Sequence, residues 1–259
     1  MARLGCSYPI VASKPERPPQ WLPGPPFPPF YDNSAISAYQ NTAASGVAIP
    51  WTQTGISTPG AYALVVAYGS SQATPTTTAA VAAVTFGGVT MKSLGNIQNN
   101  NSAASGFVWV WGLPAIAGGN NVSVSVTFTL ASTAFQGYCC SFTYLNVGAV
   151  GALQVAASTA TQPSVLVPSA VGNLVFGTYC QASSNTYTAS RLTIRKQINI
   201  AGNFPNFQAG DIAGAASVNV TGTQVGGGNW GCAGLNLYGQ RPLSTNNIGV
   251  AMSNSSMMR

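Results

Sequence analysis

The chain has 259 residues, with nine Lys or Arg, three Asp or Glu, no histidine and a net charge of +6. Only 5% of residues are charged, against roughly a quarter in ordinary soluble domains, so solvation falls to Ser, Thr, Asn and Gln. The richness in aromatic and β-branched residues excludes a disordered polymer. Of the acids, Glu16 and Asp32 lie in or beside an N-terminal arm and only Asp211 lies in the body, so acid–base chemistry of the His or paired-carboxylate kind has no participants there.

Residues 1–32 form the arm. Arg17 to Asp32, "RPPQWLPGPPFPPFYD", holds seven prolines in sixteen residues, with four aromatic rings between them. Proline fixes φ and removes a donor, so the segment is expected to be extended and close to polyproline II. A spacer has little use for the rings, and a docking strap does. At ~3.1 Å per residue a thirty-residue arm reaches ~90 Å, and its stiffness lowers the entropy lost on docking. Arg17, Trp21, Phe27, Phe30 and Tyr31 are therefore the candidate partner-docking residues. The first fifteen residues carry no continuous apolar run of the secretory kind, and no stretch approaches the ~20 apolar residues that span a bilayer. The expectation is a protein folded in a cytoplasm, without membrane insertion.

Residues 33–239 read as an antiparallel β-sandwich. The apolar residues come in short runs bounded by Gly, Pro, Asn and Ser. Ala61 to Tyr68 is a strand, and Val84 to Phe86 and Val89 to Leu94 flank Gly87-Gly88, a two-residue hairpin signal. Phe107 to Trp111 alternates, and Asn121 to Leu130 alternates cleanly, with Val122, Val124, Val126, Phe128 and Leu130 on one face. Tyr138 to Leu145, Val165 to Val167, Leu174 to Cys180, Leu192 to Ile198, Ser217 to Val220 and Cys232 to Tyr238 complete about ten strands, expected in two packed sheets. Residues 240–259 read as a polar tail.

The chain also repeats itself. "AYALVVAYGSSQ" at Ala61 is echoed by "GNLVFGTYCQASS" at Gly172, the valine strand at Asn121 by "ASVNVTGT" at Ala216, and "YCCSFTYLNVG" at Tyr138 by "WGCAGLNLYG" at Trp230. The spacing falls from 110 residues between Leu64 and Leu174 to 92 between Cys140 and Cys232. Such a pseudo-repeat fits one strand set used twice, either sharing a single core or forming two small sandwiches.

Five cysteines without CxxC spacing are not a disulfide framework, and buried thiols acting as small hydrophobes are the plainer reading. No metal site, cofactor motif or catalytic set is expected, and the chain is read as a non-enzyme. Arg191, Arg195 and Lys196 cluster, but phosphate binding draws on many cations, so nucleic acid is not an expected partner. Trp109 and Trp111 share one strand face and are carried as candidate glycan-stacking residues, beside an Asn-rich loop at Asn96 to Gly106.

The run "LVVAYGSS…AAVTFGGVTMKSLG…GFVWVWGLPAIAGGNNVSVSVTF…FQGYCCSFTYLNVGAVG…GNLVFGTYCQ…WGCAGLNLYG" resembles a bacterial and phage β-sandwich module. The opening "MARLGCSYPIVASKPERPP" resembles the start of small virion proteins of actinobacterial phages, especially mycobacteriophages, of the minor tail protein type. The resemblance spans roughly residues 1–15 and 60–240. It implies a jelly-roll-like sandwich in a structural virion protein, assembled in the bacterial cytoplasm, with other virion proteins and copies of itself as partners. Capsid decoration on the same fold, and a carbohydrate-binding module for the host surface glycan, are the alternatives. No catalytic residue is implied.

Overall fold

The computed structural model describes residues 26–43, 46–57, 60–69, 81–101, 106–128, 135–181, 185–200 and 205–241. They lie in one compact unit, Pro26–Arg241. The candidate residues Arg17 and Trp21 lie outside the described residues, as do Cys6 and the tail from 242 onwards.

The fold is all-β and antiparallel. Its first half holds β1 (Phe30–Ile36), β2 (Gln40–Ala43), β3 (Ala48–Gln53), β4 (Ala61–Gly69), β5 (Val81–Phe86), β6 (Val89–Thr90), β7 (Lys92–Gln98), β8 (Phe107–Ile116), β9 (Val122–Phe128) and β10 (Phe135–Leu145). Its second half holds β11 (Val147–Val150), β12 (Gln154–Ser158), β13 (Ser164–Pro168), β14 (Leu174–Gln181), β15 (Tyr187–Ser190), β16 (Thr193–Ile198), β17 (Asn206–Ala213), β18 (Ser217–Gln224) and β19 (Trp230–Gly239). Phe30 and Tyr31, at the end of the Pro-rich run, are the first residues of β1.

The repeat is one of topology as well as sequence. In the first half a large sheet runs β1-β10-β4-β8-β7, with β2 also on β10, and a small sheet runs β3-β9-β5-β6. In the second half the large sheet runs β11-β19-β14-β17-β16, with β12 also on β19, and the small one runs β13-β18-β15. Each strand of the second half thus takes the place of its counterpart in the first, and only the two-residue β6 has none. Four sheets form instead of the expected two, because each repeat closes a sandwich of its own.

Alternation decides where each side chain goes. Odd positions of β4, Ala63, Val65 and Ala67, meet Val84, Val124, Val126 and Phe128 of the small sheet in the first sandwich's core. Val175 and Tyr179 do the same with Val165, Val218 and Val220 in the second. The opposite faces of the two large sheets bury each other in a third core, where Leu64, Val66, Tyr68, Cys140, Phe142 and Tyr144 meet Phe176, Phe207, Leu235 and Leu237. Faces also correct one detail of the repeat. Cys140 lies in the third core and Cys232 in the second sandwich, so the two are not counterparts; Cys140 opposite Val66 matches Leu235 opposite Phe176, both inside the third core.

The halves meet through their large sheets: β1 lies beside β16, β7 beside β12 and β19, and β8 beside β14 and β19, and the Tyr68 hydroxyl of β4 is bonded to Thr178 of β14. The expected hairpin at Gly87-Gly88 forms, with Phe86 opposite Val89 and φ of 59° and 80° at the two glycines, the positive values a primed turn requires.

Candidate functional site

Three passages of chain converge on Asn146, the single residue joining β10 to β11. Its φ of 58° is left-handed, a conformation asparagine tolerates better than most residues. The Asn146 carbonyl accepts the Gln240 amide at 2.7 Å, and Asn146 Nδ2 donates to the Pro28 carbonyl at 3.3 Å. The Phe27 amide in turn donates to the Gln240 carbonyl at 2.9 Å. Gly239 makes this crossing feasible, since a Cβ there would sit 2.5 Å from the Phe27 carbonyl oxygen. The chain therefore enters the fold at Pro26 and leaves it at Arg241 side by side, at the junction of the two sandwiches.

This corner carries exposed rings. Phe27 is 56% exposed, Phe30 49% and Tyr238 44%. Beside them opens a cavity of about 440 Å³ lined by Pro26, Gly148, Ala149, Asn173, Tyr238, Gly239 and Arg241. Tyr31 behaves differently. Its ring meets Tyr144 edge-on at 5.9 Å, carries the Arg195 guanidinium 4.2 Å above its face, and its hydroxyl bonds Ser34 Oγ at 2.8 Å. Tyr31 thus packs, partly buried, at the seam between the halves.

Arg195 belongs to that seam too. Its Nε and Nη2 donate to Asp211 at 2.7 and 3.0 Å, and the Tyr144 hydroxyl donates to the same carboxylate at 3.4 Å. The ion pair raises the Arg195 pKa, and burial drives Tyr144 well above the usual phenol range. Sequence reasoning missed this cluster, although the one acid of the body and the one basic cluster were signals that they would meet. Asp32 accepts from Ser57 and from Thr143, the latter at 3.0 Å.

Trp109 and Trp111 share a face, as their spacing requires, and stack at 5.3 Å with 14° between planes. That face is the interior of the first sandwich, and Trp111 is 2% exposed. Trp111 is therefore corrected from a candidate sugar platform to a core residue, with half-buried Trp109 tied to Ser93 Oγ at 3.0 Å. In the Asn-rich loop, Asn99 is also buried, its Nδ2 lying 4.0 Å from Cys180 Sγ.

Cys139, Cys140, Cys180 and Cys232 are free and fully buried. Burial pushes all four thiols far up, which disfavours the thiolate that nucleophilic or metal chemistry needs. Among the described residues no three of His, Cys, Asp and Glu come together, and no helix is long and apolar enough to cross a membrane. A second cavity, of about 360 Å³, lies between the β5-β6 turn and the ends of β8 and β9, lined by Phe86, Val89, Leu113, Ile116 and Val122 among others. Compared with known proteins, the chain matches no family model, no curated protein and no solved structure.

Proposed function

We propose that this chain is a non-enzymatic structural component of a phage virion, a minor tail protein held to its particle through the Pro/aromatic arm. The observation that carries the reading is the corner at Asn146, where the arm enters the fold among the exposed rings of Phe27, Phe30 and Tyr238. A strap needs a rigid body to pull on, and the double sandwich supplies one with three packed cores. The resemblance of the opening residues and of the strand motifs to actinobacteriophage virion proteins points to the same role. The burial of the described thiols and the engagement of Asp32 and Asp211 in hydrogen bonds are in keeping with a structural role.

The test is deletion of residues 1–25 in the phage. The shortened chain is expected to keep its β circular dichroism and to be missing from purified particles. Normal incorporation of the shortened chain overturns the strap. A density map of the wild-type particle that places the chain on the head would replace the tail role with capsid decoration on the same fold.

A further inference from the structure

The corner cavity has a chemistry that the rest of this chain can fill. Its wall combines the Tyr238 ring, Pro26 and the bare backbone of Gly148 and Gly239, with the Arg241 cation at the same wall. Aromatic, proline-bearing grooves of this kind take extended Pro-rich segments, whose preformed backbone costs little entropy to bind.

Charge narrows the occupant. The chain has three acids. Asp32 is engaged by Ser57 and Thr143, and Asp211 by Arg195 and Tyr144. Glu16 is the remaining one, and it directly precedes "RPPQWLPGPP". Among the described residues Arg241 has no carboxylate partner. One Pro-rich segment and the third acid thus occur together in the sequence, and one cavity offers an aromatic wall beside a cation.

Reach decides between the chain's own arm and another's. Ten residues separate Glu16 from Pro26, and at ~3.1 Å per residue the extended segment covers ~31 Å. Pro26 is itself part of the cavity wall, so an arm filling its own cavity would have to double back at once. Pro23, Pro25, Pro26, Pro28 and Pro29 crowd that point, and each holds the residue before it away from the compact α conformation. An arm arriving from a second molecule meets no such constraint.

We propose that the corner cavity binds the arm of a second copy of this chain, with the arm's Glu16 set against Arg241 and its prolines and Trp21 against Tyr238. Exchanged both ways, the contact is self-complementary and closes as a pair. The inference rests on the docking-arm reading and names the arm's partner. Packing of rings and prolines carries the affinity, and the ion pair fixes direction, because exposed pairs contribute little by themselves.

The experiment is light scattering on the full-length purified chain across a micromolar range. Wild type is expected at twice the 26.4 kDa of one chain. Glu16→Arg and Arg241→Glu each place like charges together and are expected to weaken the pair by about tenfold or more. An equimolar mixture of the two variants restores opposite charges at both contacts only if the arms are exchanged, so recovery of the pair on mixing is the decisive result. Tyr238→Ala, at an exposed position, is expected to weaken the pair without loss of fold.

A monomeric wild type, or single variants that pair as wild type does, overturns the proposal. Weakening without recovery on mixing overturns it too, in favour of an arm folded onto its own body. If the proposal fails while deletion of residues 1–25 still keeps the chain out of particles, the arm docks on a different virion protein and the strap reading stands.

Discussion

The ring of Tyr68 lies flat on that of Phe207, with centroids 3.9 Å apart and 8° between planes, and its hydroxyl bonds Thr178 Oγ1 at 2.8 Å. The Thr178 hydroxyl donates to the Gln208 carbonyl at 3.0 Å, so Tyr68 is the donor in the first bond. One side chain from the first sandwich is thereby held by packing and by direction to the second. All three groups are fully or almost fully buried, in the core that joins the halves.

Phe207→Ala removes the stacked ring and is expected to cost about 3–5 kcal/mol, as other buried Phe truncations do. Tyr68→Phe keeps the ring and loses one hydrogen bond, an expected cost of about 1 kcal/mol. Urea unfolding followed by tryptophan fluorescence reads both, and wild type is expected to unfold in one transition because the middle core couples the sandwiches. A Phe207→Ala cost near zero would mean that this core does not hold the halves together.

Arg195 and Asp211 give a second measure of the seam. The Asp211 side chain is only 4% exposed, so removing its partner leaves a carboxylate with the Tyr144 hydroxyl, 3.4 Å away, as its remaining side-chain donor. Arg195→Ala is expected to destabilise by about 3 kcal/mol. Arg195→Lys should recover only part of this, since an ammonium cannot reproduce the two-pronged contact of Nε and Nη2. Equal stability of Arg195→Ala and wild type, by the same urea midpoints, would show that the carboxylate finds solvent and that the pair is ornamental to folding.

Periodicity accounts for the strands that were legible in the sequence. β9, with Val124, Val126 and Phe128 inward and Ser123 and Ser125 outward, could be read directly, because one face is buried and the other wet. β4 and β14, buried on both faces, were legible as continuous apolar runs. β17 was not, since Asn206, Gln208, Gly210 and Asp211 are polar or small yet buried, each satisfied by a bond or a close approach that only the tertiary fold supplies. β3 was hidden by Pro50, which is tolerated there because β3 is the edge of its sheet. The repeat was visible, and its consequence was not: strands with two apolar faces imply a partner sheet on each side, hence three cores and not one. At the corner, Phe27 and Phe30 could be picked out by composition, whereas Asn146, Tyr238 and Arg241 gain their meaning only from the crossing of chain ends.

The buried thiols give a pH prediction with a definite sign. Burial raises the folded-state pKa of Cys139, Cys140, Cys180 and Cys232 above the ordinary thiol value of 9.0. Below that value both folded and unfolded chains hold the protons, and the thiols add no pH dependence. Above it the unfolded chain releases protons that the folded chain keeps, so stability falls as pH rises, by about 1.4 kcal/mol per pH unit for each thiol fully ionised only when unfolded. The raised phenols of Tyr68, Tyr144 and Tyr187 act in the same direction above 10.0. Urea midpoints are therefore expected to fall progressively as pH rises from about 9 to about 11, steepening at the upper end, where the phenols join the thiols. The same burial governs reactivity at neutral pH: of the five cysteines, these four should resist a thiol reagent until denaturant is added. Rapid labelling of two or more thiols in the folded chain, or a midpoint that stays level across the alkaline range, would contradict their place in the three cores.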